Sequence, residues 1–367
     1  MTDAQPPILL LSSNRRRRYS EDILTALASP PGSVIRFRYR ENYVSPSLQQ
    51  IIANNSILAR PAVVGFIGTA DKMVTPEGPN IPNPVLVPIR MVSVLSAENV
   101  GNIYIFRLRV GGYPDLSDMA TDLGGLGQES QKLYDKLVEL NGGYYPAVVK
   151  CPNMRLSADG DPAQQWIGIV RRLAQHPTFS RSCFVRVGYP VSALHREMAF
   201  DAEGQLRLGD GQSIKLPVTF YSEQYFDTGR VALSCVTDDR YLRLSSAGKY
   251  DVASRYDSVE FWLQPRTEAY DTKAGVAISL TYEAPDGVPT PPVPADPVPL
   301  TTNTEFPVVV ARSRSRLAAR VAISAFGAFL VAIPGILGDG ASLPLRVVAA
   351  VAGAILLACA AIVIPRS

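Results

Sequence analysis

The chain has 367 residues, 47% of them apolar and 19% charged, which excludes an intrinsically disordered protein and leaves room for two or three domains. Thirty prolines, 27 glycines and 16 tyrosines favour turns and strands over a helical bundle. The net charge of +3 is uneven, because residues 312–367 hold six arginines against Asp339 while the rest of the chain is slightly acidic. That distribution argues against bulk duplex nucleic acid as a partner, since a duplex footprint is spread over a folded domain.

Residues 8–12 read as an apolar strand, 14–20 as a loop and 21–28 as a short helix stopped by Ser29-Pro30-Pro31-Gly32. Residues 34–40 alternate strictly, with Ile35, Phe37 and Tyr39 on one face and Arg36, Arg38 and Arg40 on the other. This predicts a half-buried strand. Residues 61–68 and 85–95 are further strands, and 103–110 pairs back across a turn at 97–102. Residues 1–115 therefore read as a mixed α+β binding domain around a small curved sheet or barrel.

Residues 116–180 form a helical connecting segment. Its helices are 130–140 and a second one opened by Asp161-Pro162 that runs to about residue 175. Short strands then dominate 181–283, which predicts a β-rich sandwich or barrel domain. An echo between residues 106–120 and 183–199, each with an Arg-Val-Gly-Tyr-Pro-like run, fits either a duplication or a common turn after a strand. Eight prolines in 284–311 predict an extended, semi-rigid linker.

The last segment carries two uncharged 18-residue stretches, 321–338 and 347–364, separated by a short loop. Each would rise roughly 27 Å as a helix, close to a hydrocarbon core of ~30 Å. The fold expected from the sequence is thus α+β: a mixed small-sheet N-terminal domain and a β-rich domain, followed by a two-helix transmembrane hairpin. Arg312, Arg314, Arg316 and Arg320, in the basic flank 312–320, would face anionic lipid headgroups. They would also place residues 1–316 and the C-terminus in the cytoplasm of a multi-pass inner-membrane protein. Ser324, Ala328 and Ala332 in the first stretch, and Ala349 and Gly353 in the second, form small-residue stripes suited to helix packing and a homo-oligomer.

Catalytic signals are weak. His176 and His195 are the two histidines, no hydrolase, metalloprotease or P-loop string occurs, and the four cysteines form no metal pattern. A cysteine–histidine pairing of Cys183 with His195 is less natural than a core cysteine. Asp159 and Asp161 fit a helix cap better than a cation loop, and residues 124–127 fit a flexible loop better than a phosphate cradle. No catalytic residue, metal or cofactor is assigned, and a non-enzymatic role is expected.

Arginine placement is the strongest signal. Arg15, Arg16, Arg17 and Arg18 lie between the first strand and first helix, where open α/β sheets often bind ligands. Arg36, Arg38 and Arg40 share a face of one strand, and Arg107 and Arg109 a face of another. Were those strands neighbours, a guanidinium-lined surface would suit phosphates, an anionic small molecule or an acidic protein partner. With the tail, the layout is similar to two-span effectors of bacterial anti-phage systems, in which a cytosolic sensor is fused to a helical hairpin. That likeness of layout implies a membrane-anchored sensor or effector acting through an oligomerising hairpin. The alternatives are a tethered scaffold or adaptor, and a tethered enzyme.

Overall fold

The computed structural model describes residues 7–69, 84–114, 128–140, 142–143, 147–150, 160–209, 212–223, 230–266, 272–283, 302–311 and 322–329, with 347, 348, 351, 352 and 354. Its first sheet has six strands: β1 (Ile8–Ser13), β2 (Val34–Arg40), β3 (Pro61–Thr69), β4 (Pro84–Val100), β5 (Ile103–Val110) and β6 (Val148–Lys150), in the order β2-β5-β4-β3-β1-β6. β1 runs parallel to β3, and every side chain of β1 is buried, as expected for a strand covered on both faces. β4 is long enough to pair with β3 on one side and β5 on the other. Register shifts at Val64/Gly65 and Val94/Ser96 curl the sheet.

Four helices pack around this sheet: α1 (Arg17–Ala28), α2 (Pro46–Ala53), α3 (Gln128–Leu140) and α4 (Pro162–Ala174). α1 buries Ile23, Leu24 and Leu27, and ends where the Ser29 hydroxyl donates to the Thr25 carbonyl (2.7 Å) ahead of Pro30. α4 starts as its sequence dictates. The Asp161 carboxylate accepts from the Ala163 amide (3.1 Å), Pro162 occupies the first turn, and Trp166, Ile169, Val170 and Leu173 form the buried stripe.

Two further sheets share the second core. One contains β7 (Phe184–Val187), β8 (Val191–Ser192), β10 (Ile214–Tyr221), β12 (Leu242–Leu244) and β14 (Tyr256–Pro265). The other contains β9 (Leu206–Gly209), β11 (Arg230–Thr237), β13 (Lys249–Asp251), β15 (Thr272–Glu283) and β16 (Asn303–Ala311). Alternating residues of both sheets meet between them, among them Leu216, Val218, Phe220, Phe261, Val276, Ile278, Phe306 and Val308. The end of α1 joins the two halves. Thr25 donates to the Asn303 carbonyl (3.2 Å), the Ser29 and Thr304 hydroxyls lie 3.0 Å apart, and Ala28 belongs to the second core.

Several expectations are corrected. The fold is β-rich, with three curled sheets and short helices, rather than α+β with a transmembrane hairpin. Among the described residues no helix is long and apolar enough to cross a membrane. Apolar composition sets a demand for burial, whereas a span needs an unbroken helix of about 20 residues. Of the first stretch, residues 322–329 are described, and they are helical. The multi-pass inner-membrane placement, with residues 1–316 cytoplasmic, is not supported, because among the described residues there is no span for the positive-inside argument to orient. Ser324 and Ala328 lie in that helical run; Ala332, Ala349 and Gly353 lie outside the described residues, as do Arg312, Arg314, Arg316 and Arg320.

The Pro-rich stretch also ends differently from a linker. Residues 303–311 form β16, antiparallel to β15 and parallel to β9, with Thr304, Phe306, Val308 and Val310 buried. Pro307 stands opposite Gly275 of β15, one residue before the pairing with β9 begins at Val308. At the first sheet, Arg17 and Arg18 belong to the first turn of α1 rather than to a loop.

Candidate functional site

β2 and β5 are antiparallel neighbours, so the condition for a shared arginine face is met. Arg36 stands directly opposite Arg107, Val34 opposite Arg109 and Arg38 opposite Ile105. Ile35, Phe37, Tyr39, Tyr104, Phe106 and Leu108 point the other way into the core, which pins the register and forces the arginines outward. Arg36, Arg38 and Arg40 are exposed, while Arg107 and Arg109 are half-buried.

Like charges directly opposite on a sheet destabilise it unless something intervenes between them. Here the cross-strand Cβ separation is about 4.5–5.5 Å. Among the described residues no carboxylate forms an ion pair with Arg36, Arg38, Arg40 or Arg107; pairs such as Arg17–Glu21, Arg207–Asp201, Lys215–Glu260 and Arg240–Asp238 lie elsewhere. The Nε of Arg107 is buried with no hydrogen-bond partner. The face thus carries several guanidiniums, three of them exposed to solvent.

Arg109 is different. Its Nη2 donates to the carbonyls of Ala202 (2.5 Å) and Asp201 (3.4 Å), tying β5 to the loop ahead of β9. Asp201 in turn accepts from Arg207 (2.8 Å) and from the amides of Glu203 and Gln205, which hold its carboxyl below the usual range despite partial desolvation. Arg109 therefore braces the edge of the face. The N-terminal arginines spread apart: Arg17 pairs with Glu21 (2.8 Å), Arg16 lies over the Tyr19 ring (5.9 Å), and Arg15 acts on Tyr134. Arg18 stays close to the face, because it and Arg38 both pull on the Asp22 carboxyl. Desolvation outweighs that pull and pushes Asp22 up to about 6.

At the far end of β2 the face runs into an open cleft of about 570 Å³ lined by Arg40, Glu41, Asn42, Val44, Gln49 and Asn102. That size falls within the range of small-molecule sites, ~300–1,000 Å³. Gln49 closes its floor by donating to the carbonyls of Glu41 (3.0 Å) and Val44 (2.9 Å). The cleft was not foreseen from the sequence, because α2 and the Asn102 turn meet only through the sheet.

The other residues weighed for chemistry are placed apart from this face. Among the described residues no group of three or more His, Cys, Asp or Glu could hold a metal ion. His176 is buried with its ring against Phe66 (4.9 Å), and its Nδ1 accepts from the Thr178 amide (3.2 Å). Cys183 is buried, and His195 sits at an exposed turn with φ of 57°. Asp161 caps α4; residues 124–127 and Asp159 lie outside the described residues.

No protein-family model and no curated protein matches the chain. Among solved structures, it is similar to WR4, a C. elegans MSP family member, at 11% identity over 29% of this chain and 92% of that one, with a TM-score of 0.19. At that score the likeness carries no argument.

Proposed function

We propose that the protein is a binding module whose β2–β5 face recognises a phosphate-rich small molecule of nucleotide size. The observation that carries this is the direct opposition of Arg36 and Arg107, flanked by Arg38 and Arg40, with no ion-paired carboxylate on any of them among the described residues. Guanidinium groups offer several donors in a planar fork matched to phosphate oxygens, so an oxyanion between the strands removes the repulsion and supplies the missing acceptors. The cleft beside Arg40, lined also by Asn42 and Asn102, has room for the uncharged remainder of such a ligand. An acidic protein segment is the second reading, supported by the position of β2 at the edge of its sheet, where an extended chain finds unpaired backbone groups.

The test is calorimetric titration of the full chain with nucleoside triphosphates, and with an acidic peptide, at two salt concentrations. Saturable nucleotide binding that weakens with salt, and falls at least tenfold in an Arg36→Gln/Arg38→Gln variant of unchanged melting temperature, is the expected result. Binding of the acidic peptide alone would select the second reading. Binding of neither would end the proposal.

A further inference from the structure

A second cluster of donors lies at the junction of the two halves and was absent from the sequence reading. Arg90, in the apolar run of β4, is fully buried. Its guanidinium stacks on the Tyr113 ring (3.7 Å) and its Nη2 donates to the Ser29 carbonyl (3.1 Å), the residue that ends α1. Tyr113 is anchored from the other side, its hydroxyl donating to the Leu27 carbonyl (2.8 Å). The Nε and Nη1 of Arg90 are buried with no partner.

Arg186 of β7 approaches from the second half. It acts on both Arg90 and Tyr113, lies over the Trp166 ring (5.9 Å), and donates from Nη2 to the Thr219 hydroxyl (3.4 Å). Its Nε and the Trp166 Nε1 are likewise buried without partners. The cluster thus has four unsatisfied donor atoms, two positive charges and no ion-paired carboxylate among the described residues.

A random packing defect leaves donors and acceptors alike; one made entirely of donors, three of the four on two guanidiniums, has the chemistry of an anion site. Removing a guanidinium from water without a counter-charge costs several kcal/mol, and one carbonyl with one ring face offsets that in part. Water would satisfy the donors but not the charge.

We infer that a small inorganic oxyanion is held between Arg90 and Arg186 and fastens the first sheet to the β7-bearing sheet. Arg186 is half-buried and the neighbouring Tyr189 is 39% exposed, so the anion enters from the Arg186 side. This site shares no residue with the β2–β5 face.

The experiment is thermal melting of the full chain in phosphate against gluconate at matched ionic strength, with inorganic phosphate counted by equilibrium dialysis. Three proteins are compared: wild type, Arg186→Gln, and the Arg36→Gln/Arg38→Gln variant. The expected result is a melting temperature that rises and saturates with phosphate, with phosphate retained in the surface variant and lost in Arg186→Gln. Because Arg186 is half-buried, Arg186→Gln avoids the folding failure that a change at Arg90 invites. Loss of the effect in the surface variant alone would assign the phosphate to the β2–β5 face and overturn the inference. No saturable stabilisation in wild type, or equal stabilisation in Arg186→Gln, would overturn it as well.

Discussion

Replacing Phe306 by alanine removes a ring that is 1% exposed in the second core and stands edge-on to Phe200 at 5.6 Å. A buried aromatic side chain withdraws ~150–250 Å² from water, or about 4–6 kcal/mol at ~25 cal/mol per Å² as an upper bound. Alanine keeps part of that, so the expected loss is about 3–5 kcal/mol, the usual range for Phe→Ala in a core. With a urea m-value of about 2 kcal/mol per M, the unfolding midpoint falls by about 2 M. Glu305 is the internal control, because it is exposed one residue away on the opposite face of β16; Glu305→Ala should change stability by about 0.5 kcal/mol or less, a midpoint shift of about 0.25 M or less. The assay is urea unfolding followed by tryptophan fluorescence in a Trp166→Phe background, which leaves Trp262 in β14 of the same half as the reporter. Equal, small effects from both substitutions would show that residues 303–311 behave as a linker and that β16 does not close the sheet.

Two other outcomes follow from named contacts. Asp22 is pushed up to about 6 from an ordinary 3.8, chiefly by burial, so the folded state holds a proton between about pH 4 and 6 that the unfolded state lacks. Its contribution to stability therefore falls as pH rises through that window; the melting temperature of Asp22→Asn relative to wild type should climb from pH 4 to pH 7, and a flat difference would refute the assignment. Gly204 has φ of +76° and packs so closely on Val34 that an added Cβ would stand 2.9 Å from the Val34 Cβ and 3.1 Å from its backbone nitrogen. Gly204→Ala should cost about 1–3 kcal/mol by urea unfolding, and a neutral result would mean that this loop does not rest on β2.

The local signals that could be read without a structure were those in which one segment decides its own conformation. The alternation of 34–40 fixes which residues of β2 share a face, and Asp161-Pro162 starts α4 whatever surrounds it. Pairing is another matter. Periodicity puts Arg36 and Arg107 on a face each, but only the β2–β5 register sets them opposite one another, and only the curl of the sheet brings Asn102 and Gln49 to the cleft beside Arg40. Residues 303–311 show the same limit: eight prolines dominate the composition of 284–311, while Thr304, Phe306, Val308 and Val310 become a core stripe because β15 and β9, distant in sequence, supply the partners. Apolar composition suggested two spans at 321–338 and 347–364, yet among the described residues no helix is long and apolar enough to cross a membrane, since hydropathy measures only the tendency to leave water. Arg90 drew no notice inside an apolar strand, because its burial against Tyr113 and its nearness to Arg186 depend on how two separate cores meet. Short-range sterics and hydrogen bonding are written in neighbouring residues; the burial and pairing of charges are settled by contacts between residues far apart in the chain, and those exist only once the chain has folded.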